Sequence, residues 1–391
     1  MDVRDIAWLS GAEGRTASEH AAALVDERGE LSALRRLGRD HGAERARAAV
    51  ALVAGRRAAA SKFPDAGHLF FDREAAEQAS GEVVAQHTAA RFAGFARIAD
   101  LGCGAGGDAL ALARHARVLA VDRNPARLAM LTANATVRGL QARLTTCAAD
   151  IASWATPDGI EAIWCDPGRR DASGRRIDPE SWSPPLSQVL SLTSGLPSGV
   201  KLAPGIDLAL LPPEDEVEFV SHQGRLVEAV LWRGGLASAP RRATVLPEGA
   251  SLAGEPDRGH TAVGEPGRYL YDPDPAVGRA SLIDLLAPAL GAWKLDERVA
   301  YLSSDQPASS PFARRFRVHA WLPFAERRLL ERLVALGAGR VEVMRRASAV
   351  DTNALERRLN RALPGRGPVL TVALTRRGNQ PLAIVCERER D

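Results

Sequence analysis

Three aspartates and a glycine-rich turn stand where an open α/β sheet holds a nucleotide-like ligand. The turn is Asp100-Leu101-Gly102-Cys103-Gly104-Ala105-Gly106-Gly107-Asp108, which lies between a short apolar run and a segment with helical spacing. Glycines let the backbone approach a ligand closely, and the start of a helix presents unpaired N–H groups to it. Asp122 and Asp150 each follow a later apolar run. The pattern predicts a binding site at the carboxyl ends of the first three strands.

The glycine turn alone is compatible with a dinucleotide or with S-adenosylmethionine, and the acids distinguish the two. A dehydrogenase needs only Asp122, which would accept hydrogen bonds from ribose hydroxyls. S-adenosylmethionine also carries an ammonium group, which suits Asp100 directly or through water, and an adenine amino group, which suits Asp150. Each aspartate alone could equally be a cap or a turn residue. Together they predict an S-adenosylmethionine site, made by Asp100, Gly102, Gly104, Gly106, Asp122 and Asp150.

A second motif, Asp166-Pro167-Gly168-Arg169-Arg170, follows the fourth apolar run and reaches the same edge of the sheet. Amine methyltransferases place an Asp or Asn, two prolines and an aromatic residue there. Only Asp166-Pro167 matches, which argues against an exocyclic amine and leaves nitrogen as the leading acceptor. We predict that Asp166 orients or deprotonates the nucleophile and that Arg169 and Arg170 contact a phosphate or carboxylate. The alternative is a structural turn followed by two solvated arginines.

An aromatic side chain near this motif could stack on an acceptor base, and Trp164, Trp182 and Phe71 are the candidates. The donor methyl group is already activated on a sulfonium. In-line displacement therefore needs a positioned and partly desolvated acceptor, and no covalent enzyme intermediate. We expect no catalytic metal, and none of the dispersed histidines is assigned as a ligand.

From about residue 96, short apolar runs alternate with helically spaced segments, which is typical of a doubly wound parallel sheet. The runs predict strands over residues 97–100, 118–122, 142–147, 162–165 and 199–203. A helix is expected over 125–137. Residues 217–220 and 226–232, joined by Gln223-Gly224, predict an antiparallel pair that completes the sheet.

The remaining patterns divide the chain into four parts: an N-terminal helical region (1–92), a methyltransferase-type sheet domain (93–235), an irregular connecting segment (236–310) and a basic α+β domain (311–391). The helical region is expected to end in a helix that runs through Gln78 to about Ala93. Residues 234–275 are rich in Gly and Pro, and their one convincing strand covers 243–246. Further on, residues 281–290 predict a helix and residues 299–302 a strand.

Charge and cysteine usage bound the possible partners. The chain has 391 residues and a net charge of +3, but residues 311–391 hold 17 Arg and no Lys against 8 acidic residues. Such an excess can attract a polyanion, although it could equally be a solvated surface. The four cysteines have no paired spacing, which argues against disulfides and a zinc site. We see no signal peptide or membrane span and expect a cytoplasmic protein.

The order of motifs resembles the class I S-adenosylmethionine-dependent methyltransferases, which implies a Rossmann-like seven-stranded domain. More specifically, the chain resembles a bacterial family of these enzymes with a C-terminal THUMP-like domain. The resemblance rests on the two motifs above and on further segments: Lys62-Phe63, Phe70-Phe71, Glu77-Gln78-Ala79, Trp182-Ser183-Pro184-Pro185, Lys201-Leu202-Ala203-Pro204-Gly205, Pro311-Phe312-Ala313-Arg314-Arg315 and Gly337-Ala338-Gly339-Arg340-Val341-Glu342-Val343. The family usually has Ala where Gly168 stands. Phe71-Asp72-Arg73-Glu74 is also weakly similar to the lead-in of trimethylguanosine synthases.

The resemblance implies a substrate class as well as a donor. THUMP domains bind structured RNA, so we expect an enzyme that methylates a nitrogen of transfer or ribosomal RNA, with RNA held by the basic C-terminal domain. Two alternatives remain open at this point. One is a methyltransferase of a protein or small molecule, and the other is a catalytically silent RNA-binding protein that retains a donor pocket.

Overall fold

The computed structural model describes residues 1–168, 170–171, 174–175 and 178–389, and for residues 170, 171, 174 and 175 it describes the backbone only. The chain forms two compact units. The first contains Met1–Asp215 and Ala229–Ser238, and the second contains Glu216–Glu228 and Ala239–Asp391. No helix in the described ranges is long and apolar enough to cross a membrane.

The first unit begins with helices and continues into a sheet. Its helices are α1 (Val3–Ser10), α2 (Ala12–Arg28), α3 (Glu30–His41), α4 (Ala43–Ala59), α5 (Arg73–Gln78), α6 (Glu82–Ala90), α7 (Gly107–Leu112), α8 (Pro125–Val137) and α9 (Leu186–Leu192). The strands up to residue 233 are β1 (Arg97–Leu101), β2 (Arg117–Asp122), β3 (Leu144–Ala148), β4 (Ala162–Cys165), β5 (Arg170–Asp171), β6 (Gly174–Arg175), β7 (Ser198–Leu202), β8 (Glu216–His222) and β9 (Arg225–Arg233).

The sheet of the first unit is doubly wound, as predicted. β1 pairs in parallel with β2 and β4, β2 with β3, and β4 with β7. Residues 229–233 of β9 run antiparallel to β7 and add the predicted antiparallel strand. In β1, every residue after Arg97 is buried, as expected for a parallel strand covered on both faces. The carboxyl ends of β1, β2 and β4 thus meet at one edge, where the motifs lie.

Helix α8 has the predicted bounds because its start is chemically marked. Asn124 Oδ1 accepts a hydrogen bond from Ala126 N, and Pro125 occupies the first helical position. Inside the helix, the buried Asn134 joins two segments: its Oδ1 accepts from Phe70 N at 2.6 Å, and its Nδ2 donates to Phe70 O and Ala105 O, each at 3.1 Å. The N-terminal lead-in is therefore fixed to the glycine loop.

The prediction of a single helix up to about Ala93 is wrong, because the helix is interrupted between α5 and α6. Lys62 Nζ donates to the carbonyls of Ala76, Glu77 and Ala79 at 2.7–2.9 Å, which ends α5 with a cation at its negative pole. The segment then turns through Ser80 to the start of α6. Ser80 belongs to the candidate site described below, so the turn that positions it matters for the chemistry of that site.

The second unit contains β8 and the elements that follow residue 238. Its strands are β10 (Arg241–Leu246), β11 (Ala250–Gly254), β12 (Tyr269–Pro273), β13 (Trp293–Asp296), β14 (Val299–Ser304), β15 (Ala313–Pro323), β16 (Arg340–Arg345), β17 (Val369–Arg377) and β18 (Gln380–Arg388). Its helices are α10 (Pro275–Ala280), α11 (Ile283–Ala289), α12 (Glu326–Ala335) and α13 (Thr352–Ala362).

In this unit β8 pairs with β10, and seven strands form a second sheet in the order β13-β14-β12-β15-β18-β17-β16. The expectation that residues 236–310 form an irregular segment is therefore wrong, since they hold five strands and two helices, of which only β10, α11 and β14 lie where an element was predicted. Their apolar runs are short and separated by Gly and Pro, which hides strands whose partners are distant in sequence. Leu270 of β12, for example, pairs with Phe316 and Ser303.

Candidate active site

The glycine loop joins β1 to α7 and is held by main-chain hydrogen bonds to the end of β2. Gly102 N and Cys103 N donate to Val121 O at 2.9 and 3.1 Å, and Gly104 N donates to Asp122 Oδ2 at 2.9 Å. Gly102 has φ +85°, and a Cβ there would lie 2.4 Å from Asp166 O. Gly104 has φ +52° and open space where its Cβ would be. The positive φ favours glycine at both positions, and at Gly102 the close approach of Asp166 O also excludes a side chain.

Asp100 is the least satisfied polar group of the site. Its carboxylate lies at the end of β1 and is 1% exposed, and neither oxygen has a hydrogen-bond partner among the residues that the structure describes. Burial, followed by repulsion from Asp108 and Asp166, raises the pKa of Asp100 well above its usual value. A buried carboxylate without a donor is costly unless a ligand supplies one.

The other two predicted ligand acids lie at the ends of their strands. Asp122 ends β2, where Oδ2 accepts from Gly104 N and Oδ1 accepts from Asn124 N at 2.8 Å. Asp150 is exposed after β3, and its Oδ1 accepts from Ala152 N at 2.9 Å. The structure therefore brings Asp100 and Asp122 to one glycine loop, while Asp150 caps a short turn after β3.

A buried hydrogen-bond network connects the two motifs through Lys201. Its Nζ donates to Asp166 Oδ2 at 2.9 Å and to Ser80 Oγ at 2.6 Å, and lies 3.4 Å from Asp108 Oδ2. Ser80 Oγ in turn donates to Asp108 Oδ2 at 2.7 Å. Asp166 N also donates to Leu101 O at 2.9 Å, which fixes this backbone to the end of β1. Lys201 thus sets the position of the predicted acceptor-side carboxylate.

We did not predict Ser80, Asp108 or Lys201 as site residues. One signal was present in the composition, because the chain has only three lysines among 51 basic residues. Lys62 ends α5, Lys294 is paired with Asp284 at 3.2 Å, and Lys201 lies in the candidate site. In an arginine-rich chain, a lysine marks a place where a compact ammonium group fits and a guanidinium does not.

The rest of the second motif is only partly described. Pro167 is buried, and Gly168 exchanges two main-chain hydrogen bonds with Ser183, at 3.0 and 2.9 Å. Arg169 lies outside the described residues. Arg170 begins β5, which pairs with β6, but its side chain is not described. The predicted roles of Arg169 and Arg170 therefore stay predictions.

The three aromatic residues proposed for stacking on an acceptor are all buried, so that prediction is wrong. Trp164 packs between Phe92 and Trp232, with ring centroids 6.3 and 6.1 Å away. Phe71 stacks on Phe63 at 5.3 Å, and Trp182 is 2% exposed. All three belong to the packing of the first unit, and their burial depends on neighbours that sequence spacing does not reveal.

The cysteines near the site are not nucleophiles. Burial, then the charges of Asp100 and Asp122, raises the pKa of the Cys103 thiol well above its usual value. Burial likewise raises the pKa of the Cys165 thiol. Both side chains therefore stay protonated, and the carboxylates and Lys201 are left as the chemical groups of this edge.

Comparison with known sequences defines the class of protein. Residues 98–167, from β1 through the second motif, match a family described as methyltransferase domain. Residues 313–388, from β15 to β18, match a family described as THUMP domain-like. Both matches lie within the predicted ranges 93–235 and 311–391. A methyltransferase domain is thus followed by a THUMP-like domain.

Relatives that cover most of the chain give the family. An uncharacterised S-adenosylmethionine-dependent methyltransferase of Mycobacterium tuberculosis, in strains CDC 1551 / Oshkosh and H37Rv, is 38% identical over 351 residues, which cover 86% of this chain and 95% of the relative. The chain belongs to this family of S-adenosylmethionine-dependent methyltransferases. A structure described as that of a methyltransferase from Porphyromonas gingivalis W83 has the same fold, with a TM-score of 0.77, 21% identity and complete coverage of both chains.

The site fits S-adenosylmethionine as the cofactor. The buried, unpartnered Asp100 carboxylate suits the ammonium group of the donor, and the open space over Gly104 leaves room for a ligand against the backbone. When Asp100, Asp108 and Asp166 are ionised, they outnumber the single ammonium group of Lys201. That surplus of negative charge favours a donor whose sulfonium and ammonium groups exceed its one carboxylate.

Proposed function

We propose that this enzyme methylates a nitrogen of an RNA nucleotide by direct in-line transfer. The proposal is carried by one observation: the methyltransferase domain shares its chain with a THUMP-like domain whose predicted range, 311–391, has nine more arginines than acidic residues. A basic domain supplies the sequence-independent attraction that RNA binding requires. The proposal includes transfer or ribosomal RNA as substrate and the cytoplasm as location.

Each residue of the site would have a separate role in binding the donor or positioning the acceptor. Asp100 would accept from the donor ammonium group, Asp122 from the ribose hydroxyls and Asp150 from the adenine amino group. Bound S-adenosylmethionine supplies an activated methyl group. Asp166 would accept a hydrogen bond from the acceptor N–H and so align its lone pair, while Lys201 holds the carboxylate in place.

Proton removal is the second task proposed for Asp166. A nitrogen acceptor loses its proton as the new bond forms, and a carboxylate within hydrogen-bond reach can receive it. Because Lys201 and the Asp166 main chain are both fixed to the donor side of the sheet, the carboxylate is positioned before the substrate arrives. Such preorganisation lowers the barrier without a covalent intermediate.

The test is methyl transfer from labelled donor to separate pools of transfer RNA, ribosomal RNA, protein and small metabolites. We expect label in one RNA pool, and nucleoside mass spectrometry of that pool should identify an N-methylated base. Label only in protein or metabolites would overturn the RNA assignment. Donor binding without transfer to any pool would favour a silent RNA-binding protein.

A further inference from the structure

The second unit contains a cleft beside β15, which we call the Trp321 cleft. Its volume is about 810 Å³, and its lining includes Arg268, His319, Trp321, Arg328, Glu331 and Arg332. The cleft lies where one neighbour of β15 stops. β18 pairs with β15 as far as Pro323, whereas β12 pairs with it only as far as Arg317.

Beyond that point the far side of β15 is open. Val318 N still donates to Arg268 O at 2.8 Å, but no strand in the described ranges continues beside residues 319–323 on that side. Residues 266–268 and helix α12 line the space instead. The result is a concave site of a size that small ligands and single nucleotides occupy.

The charge of the cleft is positive. Arg268, Arg328 and Arg332 are exposed and form no ion pair within the part of the chain that the structure describes. Of the acids in the lining, Glu331 is paired with Arg327 at 3.0 Å, and Asp305 Oδ1 accepts from the Arg268 main chain at 3.4 Å. Three guanidinium groups are thus available to an anion, and a planar guanidinium fork matches the oxygens of a phosphate.

The cleft also presents an aromatic surface. The chain has seven tryptophans, all of them described, and Trp321 is the most exposed of them, at 40%. Large exposed indoles are uncommon in folded domains because they leave apolar area in water. An indole beside unpaired arginines is a combination that binds unstacked bases together with their phosphates.

We propose that the Trp321 cleft binds a single-stranded RNA nucleotide, with its base stacked on the indole of Trp321 and its phosphates on Arg268, Arg328 and Arg332. The inference rests on the proposed function, in that it assigns part of the same RNA substrate to this cleft. A single strand is required because a base in a duplex has no free face for the indole. An extended peptide could use the open edge of β15, but a neutral peptide would leave the three arginines without a partner.

Cross-linking tests the position. The full-length protein is irradiated with a short single-stranded oligouridylate that contains 4-thiouridine, and the cross-linked tryptic peptide is identified by mass spectrometry. We expect the peptide of residues 318–327, which trypsin releases by cleavage after Arg317 and Arg327. Cross-links confined to other peptides would overturn the inference.

Binding of the same oligonucleotide, measured by fluorescence anisotropy, tests the chemistry. Trp321→Ala should weaken binding about ten-fold, and Trp321→Phe, which keeps an aromatic face, should recover most of that loss. Arg328→Ala with Arg332→Ala should weaken binding and reduce its salt dependence. Arg357→Ala is the matched control, because Arg357 is exposed on α13 outside the cleft. Equal affinity in Trp321→Ala and wild type, or tighter binding of a peptide than of RNA, would overturn the proposal.

The methyl-transfer assay separates this inference from the proposed function. If RNA is methylated and Trp321→Ala raises the KM for RNA without changing kcat, both stand. If RNA is methylated and KM does not change, the cleft assignment fails while the proposed function stands. If no RNA pool accepts the methyl group, the proposed function fails, and the cross-link to residues 318–327 still decides whether the cleft binds RNA.

Discussion

The ammonium group of Lys201 donates to Asp166 Oδ2 at 2.9 Å. Through Lys201, the carboxylate of the second motif is connected to Asp108 at the end of the glycine-rich turn. Ser80 and Asp108 complete the connection on the other side of the ammonium group. One hydrogen-bond network therefore connects the glycine-rich turn to Asp166. Changes to Lys201 should affect both the stability of the protein and the rate of methyl transfer.

Replacement of Lys201 by Ala should reduce the free energy of unfolding by about 3 kcal/mol, because it leaves the buried Asp108 and the half-buried Asp166 without their cation. Chemical denaturation of the variant measures this. Lys201→Arg keeps the charge but not the compact shape, so we expect smaller destabilisation with a reduced kcat. Lys294→Ala is the control, since it breaks a pair in the second unit and should leave kcat unchanged. A Lys201→Ala variant with wild-type stability would contradict the network.

Replacement of Asp166 by Asn should separate chemistry from donor binding. The amide keeps the shape of the side chain but cannot receive a proton, so we expect kcat to fall by about 10²-fold or more, with little change in the Kd for S-adenosylmethionine. Single-turnover transfer and calorimetric titration measure the two quantities. Asp207→Asn, which alters an exposed cap of a short turn, should change neither. A wild-type kcat in Asp166→Asn would refute the assignment.

Replacement of Asp100 by Asn should weaken donor binding yet stabilise the free protein. The pKa of Asp100 is raised, so its protonated form favours the folded state, and that contribution disappears as the pH rises from the ordinary carboxyl range through the raised pKa. The wild type should lose unfolding free energy over this range, and Asp100→Asn should not. Thermal unfolding across pH, with and without donor, distinguishes the two proteins. Parallel pH profiles would count against a raised pKa.

Donor binding should also release protons. Burial raises the pKa of Asp100 in the free enzyme and the arriving ammonium group favours the carboxylate, so the release should occur at pH values between the pKa of Asp100 in the complex and its pKa in the free enzyme. Calorimetric titration in buffers with different ionisation enthalpies counts the protons. In Asp100→Asn this proton release on donor binding should disappear. A binding enthalpy independent of the buffer would contradict the prediction.

The two glycines at the loop should respond differently to Ala. In Gly102→Ala the new Cβ would meet Asp166 O at 2.4 Å, so we expect a loss of stability of about 1–3 kcal/mol together with lost activity. In Gly104→Ala the Cβ enters open space, so the stability loss should be smaller and the main effect should be weaker donor binding. Denaturation and donor titration of both variants test this, and equal effects on stability would contradict it.

Patterns of neighbouring residues were sufficient to predict the strands of the parallel sheet and the glycine loop. The glycines after β1, Asp122 at the end of β2 and the Asn124-Pro125 start of α8 are read from neighbouring residues, and the structure places all of them as expected. The two strands on either side of the turn at Gln223-Gly224 were also recognisable from their apolar runs.

Contacts between distant segments could not be predicted in the same way. Ser80 and Lys201 are 121 residues apart, and they meet only because Lys62 ends α5 and β7 lies beside β4. Trp164 looked available for stacking, but Phe92 and Trp232 cover it, and Gly199 leaves the space that its ring fills. Each of these contacts depends on tertiary packing, which a local sequence pattern does not reveal.

The packing of Phe92, Trp164 and Trp232 has an optical consequence. Indoles shielded from water emit at shorter wavelengths than indoles in water, so the buried Trp164, Trp182 and Trp232 of the first unit emit at the blue edge and the exposed Trp321 of the second unit at the red edge. The half-buried Trp8 and Trp154 of the first unit and Trp293 of the second contribute emission between these limits. Spectrally resolved emission can follow the melting of the methyltransferase domain and the THUMP-like domain within one sample.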